Sequence, residues 1–325
     1  MVRYPSWIPP PGTRLARYRN DLRLVFAPKV CQGSQTGPAP QVNDVFRPYA
    51  QRVLASGDRY QEYVIDGAVG HGGSAVVYRA HCAEQPATTV ALKVLDAHHQ
   101  DPGHLSRLQR EFDFANRVKH PHVVTMLGCG PGWLAMELIG GGCVTKLTAR
   151  SDVLAALLQI AEALDHTHRE GVVHCDVKPT NILVAEDFSV GGAILIDFGV
   201  ARNLADNVGR RPTHVEASLP YSAPEVLRGH AATPAADEYA LACTVVELLT
   251  GTTPFTAYTA MGLIDEHLNS PVPHFSRRID WMPRAFDSIL AKAMAKDPDN
   301  RYDSCGEFIG LVIRVLGPTV DGYVT

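Results

Sequence analysis

From Tyr63 onward, apolar and polar positions change in short blocks. Tyr63–Val69, Ala75–Ala80 and Thr89–Leu95 are each rich in β-branched or aromatic residues, with glycines between the first two. Blocks of that length and composition predict three antiparallel strands. His104–Val118 changes period, with Leu105, Leu108, Phe112 and Ala115 at the spacing of one helix face. Val123–Gly128 and Trp133–Leu138 read as two more strands, and Gly140, Gly141 and Gly142 then interrupt the chain. Beyond them the pattern turns helical. Asp152 is placed to cap a helix reaching Arg169, and helical spacing returns over 235–251, 257–268, 283–295 and 304–316. Strands first and helices afterwards predict an α+β molecule: a small β-rich lobe, a larger α-helical lobe and a cleft between them.

Residues 1–55 lack that periodicity. Pro, Gly, Ser and Gln crowd 27–41, and apart from a short strand at Leu22–Phe26 the stretch reads as a flexible or draped extension. The 325 residues are 46% hydrophobic and 20% charged, with a formal net charge of -4. That balance fits a globular chain and offers no basic surface for nucleic acid or an anionic membrane. No segment approaches the ~18 uncharged apolar residues of a membrane span. Val153–Leu164 and Tyr239–Leu249 are short and each contains Glu, while Pro5, Pro9, Pro10 and Pro11 leave no signal-peptide core. Seven cysteines without a C-x-x-C pair read as thiols of a reducing compartment. These features place the protein in the cytoplasm.

The chemistry concentrates in His174-Cys175-Asp176-Val177-Lys178-Pro179-Thr180-Asn181 and in Asp197-Phe198-Gly199. Such a set suits phosphoryl transfer. One carboxylate orients a hydroxyl, an amide and a second carboxylate hold Mg²⁺, and a lysine neutralises charge on the transferred group. Upstream, Gly70, Gly72 and Gly73, followed by Ser74, lie between two predicted strands. A glycine hairpin brings backbone amides close to phosphate oxygens. The strand that follows it separates the pattern from the dinucleotide fingerprint, where a helix follows. Lys93 ends Val90-Ala91-Leu92-Lys93 inside an otherwise apolar strand, and Glu111 and Asp113 on the next predicted helix are its nearest acidic candidates. The histidines at 98, 99, 120, 122, 166 and 168 have no Cys or acid beside them at metal-ligand spacing along the chain.

In order and spacing these motifs resemble the eukaryotic-type serine/threonine protein kinases, over about residues 63–317. The resemblance implies an extension at 1–55, a kinase domain at 56–317 and a tail at 318–325. Within the domain, the small lobe covers about 56–138, the connector about 137–142 and the large lobe about 143–317. It implies transfer of the ATP γ-phosphoryl group to a protein Ser or Thr hydroxyl, with Asp176 as catalytic base and Lys178 on the γ-phosphate. Asn181 and Asp197 would ligate Mg²⁺, with Mn²⁺ as an alternative ion. Val69, Gly70, Gly72, Gly73 and Ser74 would cover the phosphates; the family's third glycine is Ala75 here. Lys93 would meet the α- and β-phosphates, held by Glu111, which the spacing to His120-Pro121 favours over Asp113. Met136 would border the adenine, the Glu137 carbonyl and Ile139 N–H would hydrogen-bond it, and Val77, Ala91 and Leu183 would sandwich it.

Four further residues take structural roles by the same resemblance. Ser218 stands where the family has a threonine touching the catalytic loop. Glu225, in Ala223-Pro224-Glu225, would pair with Arg301, and Asp237 would support the catalytic loop from below. Cys175 replaces the family's usual arginine, so dependence on loop phosphorylation is expected to relax. Thr213, beside Arg210 and Arg211, is the candidate phosphosite. The Ala-rich composition and short connections point to a bacterial member, with residues 1–55 as a regulatory or self-contacting segment. Two rivals are an ATP-binding pseudokinase and a kinase-like enzyme acting on a small molecule. The intact Lys93, Asp176, Asn181 and Asp197 argue against the first, and the Ala223-Pro224-Glu225 segment against the second.

Overall fold

The computed structural model describes residues 53–207 and 218–317. The expected strand at Leu22–Phe26 and the phosphosite Thr213 lie outside the described residues. The small lobe is built on one antiparallel sheet, in the order β1 (Arg59–Tyr60), β2 (Tyr63–His71), β3 (Ala75–Cys82), β4 (Thr89–Leu95), β6 (Trp133–Glu137), β5 (Met126–Gly130). Helix α1 (Pro102–Arg117) packs on it. Asp101 caps α1 by accepting from the N–H groups of Gly103 and His104, with Pro102 at the first helical position.

The period of two along β4 decides where its lysine goes. Val90 and Leu92 face one apolar cluster with Ile65, Tyr78 and Trp133. Ala91 faces the opposite side, in the cluster that continues into the large lobe. Lys93 follows Ala91 by two residues and so shares its face, toward α1. On α1, Leu108, Glu111 and Ala115 are the buried positions, which turns the Glu111 carboxylate toward the same face.

After the connector come β7 (Gly142–Cys143), α2 (Arg150–Arg169), β8 (Val172–Val173), β9 (Ile182–Val184), α3 (Phe188–Gly191), β10 (Ala193–Leu195) and β11 (Arg202–Asn203). The helices α4 (Pro224–Leu227), α5 (Pro234–Thr250), α6 (Ala260–Asn269), α7 (Arg284–Ala293) and α8 (Cys305–Leu316) complete the large lobe. Helix α5 is buried continuously from Ala236 to Val246, the position of a central core helix. Helices α2, α7 and α8 pack around it, with Leu157, Ile160, Leu164, Phe286 and Phe308 among the fully buried side chains.

Two local expectations differ from the structure. The strand expected at Val123–Gly128 begins at Met126. Val123 instead forms a parallel bridge to Leu195, because the His122 carbonyl accepts from Leu195 N–H and the Leu195 carbonyl from Val124 N–H. That bridge joins the strand region of the small lobe to the hairpin of the large one. Helix α2 begins at Arg150 with Ala149 as its cap residue, so Asp152 lies inside the first turn. There its charge complements the helix dipole in place of capping. Among the described residues no helix is long and apolar enough to cross a membrane.

Candidate active site

Lys93 reaches across from β4 to α1. Its Nζ lies 2.7 Å and 2.8 Å from the two carboxylate oxygens of Glu111 and 3.7 Å from Asp197 Oδ1. Burial works against the charge on Lys93, but Asp197 and then Glu111 outweigh it and hold its pKa above the ordinary lysine value. The same lysine holds Asp197 down to about 2. Burial pushes Glu111 upward against the opposing pull of Lys93. Asp113, the alternative partner, is turned outward and accepts from Gln109 at 3.0 Å. Asp197 adopts φ of 65°, a left-handed conformation uncommon outside glycine. Its Oδ1 accepts the Gly199 N–H at 3.1 Å, which turns the carboxylate back toward Lys93.

The Asp176 carboxylate is shared three ways. Oδ1 accepts from the Ser218 hydroxyl at 2.7 Å. Oδ2 accepts from Lys178 Nζ at 2.7 Å and Asn181 Nδ2 at 2.8 Å. Lys178 also donates to Ser218 Oγ at 2.8 Å, closing a ring among the base, the lysine and the end of the activation segment. The loop that carries Asp176 is held from below by Asp237 on α5, which is fully buried. It accepts from His174 N–H, Cys175 N–H and His168 Nε2, each at 2.8 Å. Burial would raise its pKa, but the His168 hydrogen bond and nearby His174 hold the carboxyl below its ordinary value. His174 also packs edge-on against Phe198, with ring centroids 4.8 Å apart. That contact ties the catalytic loop to the Asp197-Phe198-Gly199 turn.

The activation segment's end is fixed twice. Glu225 and Arg301 form a buried two-pronged pair at 2.7 Å and 2.8 Å. Tyr221 Oη donates to Glu247 at the far end of α5. Ser222 Oγ donates to the Ser218 carbonyl at 3.0 Å, closing the turn between them.

Between the lobes lies a cleft of about 1120 Å³. Val69, Gly70, Gly72, Gly73 and Ser74 form its roof, and Val77, Ala91, Met136, Glu137, Ile139 and Leu183 line its adenine-sized end. The Ile139 N–H makes no backbone hydrogen bond among the described residues, which leaves it for a ligand. Glu137 is tied to Thr125 twice, its side chain accepting the Thr125 N–H at 2.6 Å and its own N–H donating to the Thr125 carbonyl at 2.9 Å. The glycines after the connector have a steric cause. A Cβ on Gly141 would stand 2.2 Å from the Ala185 carbonyl, and Gly142 has φ of 89°. Only glycine lets the connector pass so close to the β9–α3 turn.

A divalent cation fits the donors present. Asn181 spends its amide nitrogen on Asp176, leaving its carbonyl oxygen free. Asp197 spends Oδ1 on Gly199 and Lys93, leaving Oδ2. One amide oxygen and one carboxylate oxygen are the hard ligands Mg²⁺ prefers alongside phosphate and water.

Three features were not legible as sites along the chain. Arg107 lines the cleft and donates to the Gly199 carbonyl at 3.0 Å. It lies one helical turn before Glu111, and that spacing is the signal that could have found it. Asp165, His168 and Cys305 bring one possible metal-ligand atom each within 4.8 Å of one another, and Asp165 stands three residues before His168 on α2, which corrects the expectation that no acid lies at ligand spacing from it. Both Asp165 oxygens already accept the Cys305 and Gly306 N–H groups at 2.9 Å, so the cluster anchors the start of α8. Cys175 has φ of 67°, and burial pushes its thiol well above the ordinary value. It is a packed thiol, not a reactive one.

The protein kinase domain family matches residues 63–307. Serine/threonine-protein kinase PknJ of Mycobacterium tuberculosis is 37% identical over 289 residues, covering 83% of this chain and 48% of that protein. PknH of the same organism is 36% identical over 263 residues, 77% of this chain and 41% of its own length. The chain thus spans about half the length of the curated relatives it matches. The crystal structure of the Mycobacterium tuberculosis PknI kinase domain superposes with a TM-score of 0.61 at 28% identity, covering 81% of this chain and 99% of that one. With that match across the cleft and both lobes, the chain belongs to the protein kinase domain family, alongside bacterial serine/threonine kinases.

Proposed function

We propose that the chain transfers the γ-phosphoryl group of ATP to serine and threonine hydroxyls of protein substrates. The observation that carries the reading is the ring of Asp176, Lys178, Asn181 and Ser218. It holds one carboxylate in a fixed orientation. Val77, Ala91 and Leu183 take the two faces of the adenine, and the Glu137 carbonyl and Ile139 N–H its polar edge. Lys93, steadied by Glu111, meets the α- and β-phosphates under the glycine hairpin. Asp176 orients the substrate hydroxyl and accepts its proton as the oxygen attacks the γ-phosphorus. The bond from that phosphorus to the β–γ bridging oxygen breaks, and ADP departs. Lys178 offsets the charge spread over the transferred group. Mg²⁺, when bound by Asn181 and Asp197, supplies further positive charge to the phosphate oxygens.

The test is transfer of label from γ-labelled ATP with Mg²⁺ to a generic basic protein, comparing wild type with Asp176→Asn. The variant should lose roughly 10²–10⁴-fold in rate, the span of a general base, while its nucleotide affinity stays unchanged. A wild type that binds ATP without transferring phosphate would make the chain a binding module and overturn the reading. Transfer to an aminoglycoside or sugar, with none to protein, would overturn the substrate class.

A further inference from the structure

Three side chains converge on Gly199, and one of them has no part in the catalytic scheme. A Cβ at this position would stand 3.0 Å from Asp197 Oδ1, 3.2 Å from Glu111 Oε2 and 3.4 Å from Arg107 Nε. Asp197 is the candidate metal ligand, and Glu111 steadies Lys93. Arg107 is the third. It is half-buried on α1, one turn before Glu111, and its Nε donates to the Gly199 carbonyl at 3.0 Å. It lines the cleft, whereas Arg110 on the same helix is exposed. Its charge acts on Lys93 and Glu111 alike, pulling the pKa of each downward against larger influences.

The bond matters because of the backbone it holds. Asp197 has φ of 65°, a conformation that residues with a side chain rarely keep without outside support. Two hydrogen bonds to Gly199 brace the turn. Its N–H donates to Asp197 Oδ1 at 3.1 Å, within the turn itself. Its carbonyl accepts from Arg107, ninety-two positions away along the chain. Of the two, only the second ties the turn to another element. Helix α1 thereby sets where the Gly199 backbone, and with it the Asp197 carboxylate, stands.

Resting on the kinase reading above, we propose that Arg107 is a positioning residue for the divalent cation. Its Nε–H holds the Gly199 carbonyl and so fixes the backbone that aims Asp197 Oδ2 at the metal. The hydrogen bond does this, not the charge. Asp176 is oriented by Lys178, Asn181 and Ser218, so the substrate hydroxyl is placed independently of Arg107.

Methionine and glutamine separate the bond from the volume. Both side chains end at the atom position of the arginine Nε; glutamine keeps an N–H donor there, methionine keeps none, and neither is charged. Lysine keeps the charge and carries its nitrogen one atom further out. Binding of Mn²⁺ to the full chain, with a non-hydrolysable ATP analogue present, is read from loss of the free Mn²⁺ paramagnetic signal. Arg107→Met should weaken Mn²⁺ binding about tenfold, equivalent to ~1.4 kcal/mol, while affinity for the analogue without metal stays within about twofold. Arg107→Gln should recover most of the loss, and Arg107→Lys should bind Mn²⁺ less tightly than Arg107→Gln. In the transfer assay, the Mg²⁺ concentration at half-maximal rate should rise in Arg107→Met while the peptide KM stays within about twofold.

Wild-type Mn²⁺ affinity in Arg107→Met, an equal loss in Arg107→Gln, or an Arg107→Lys as tight as Arg107→Gln would overturn the proposal. So would a matching loss of metal-free analogue affinity, or a peptide KM that rises with the Mg²⁺ requirement. Should Arg107→Met fail to fold, the order of Arg107→Gln and Arg107→Lys carries the same decision. A wild type that binds Mn²⁺ with the analogue but transfers no phosphate refutes the kinase reading alone, and the Mn²⁺ affinities still decide the role of Arg107. A wild type that binds no Mn²⁺ with the analogue overturns both.

Discussion

Replacing Arg301 with Met isolates the energetics of the anchor that ends the activation segment. In the native protein the guanidinium makes two bonds to Glu225 and one each to the Ala235 and Ala295 carbonyls, all between 2.7 Å and 2.9 Å. It also lies 5.0 Å from the Tyr239 ring centroid. Methionine fills most of the volume and keeps none of those bonds. The largest loss is electrostatic, since Glu225 is left as an unpaired charge with only 6% of its side chain exposed. Breaking a buried pair from one side costs about 3–5 kcal/mol. For a domain of this size that lowers Tm by about 6–20 °C. Removing both charges tells a different story. In Glu225→Leu combined with Arg301→Met no buried charge remains, so the double variant should regain at least about 2 kcal/mol over Arg301→Met alone. Urea titration of the three proteins checks this. A double variant no more stable than the single one, or an Arg301→Met within about 1 kcal/mol of wild type, would show that the pair is not the anchor the geometry describes.

Other outcomes follow from the same structure. Burial pushes Glu238 up to about 8. A carboxyl raised on folding binds its proton more tightly in the native state, so it costs stability that accumulates as pH rises from its unfolded value toward 8. Glu238→Gln keeps the acceptor for Tyr302 N–H. It should be more stable than wild type at pH 8, with the gap closing below about pH 4.5; thermal melts across that range check it, and a gap that grows in acid would refute it. Cys175 offers no charge to a phosphate, so Thr213→Ala should lower the transfer rate by less than about tenfold, measured at fixed ATP. A larger loss would assign the phosphate to another basic group, with Arg202 the first to mutate. Lys93→Met should abolish transfer, because the phosphate clamp is lost, and should also lower Tm, because Glu111 is left buried without its partner; a transfer assay and a thermal melt check the two parts.

What the sequence by itself determined was local. The period of two in Val90–Lys93 puts the lysine on the inner face of its strand, and the helical spacing of Leu108, Glu111 and Ala115 puts the acid on the inner face of α1. The run from His174 to Asn181 keeps its base, lysine and amide within one turn of chain. Each of these follows from backbone geometry acting over a few residues, which is why the chemistry was legible before the fold. Docking decided the rest. Asp237 gathers His168, His174 and Cys175 across more than sixty positions of chain. Asp165 reaches the start of α8 from 140 residues away. Helix α6 meets the turn after Ser218 only through tertiary packing. No periodicity encodes such contacts. They arise where buried polar groups, stripped of water, must find partners on whichever element the apolar faces bring against them.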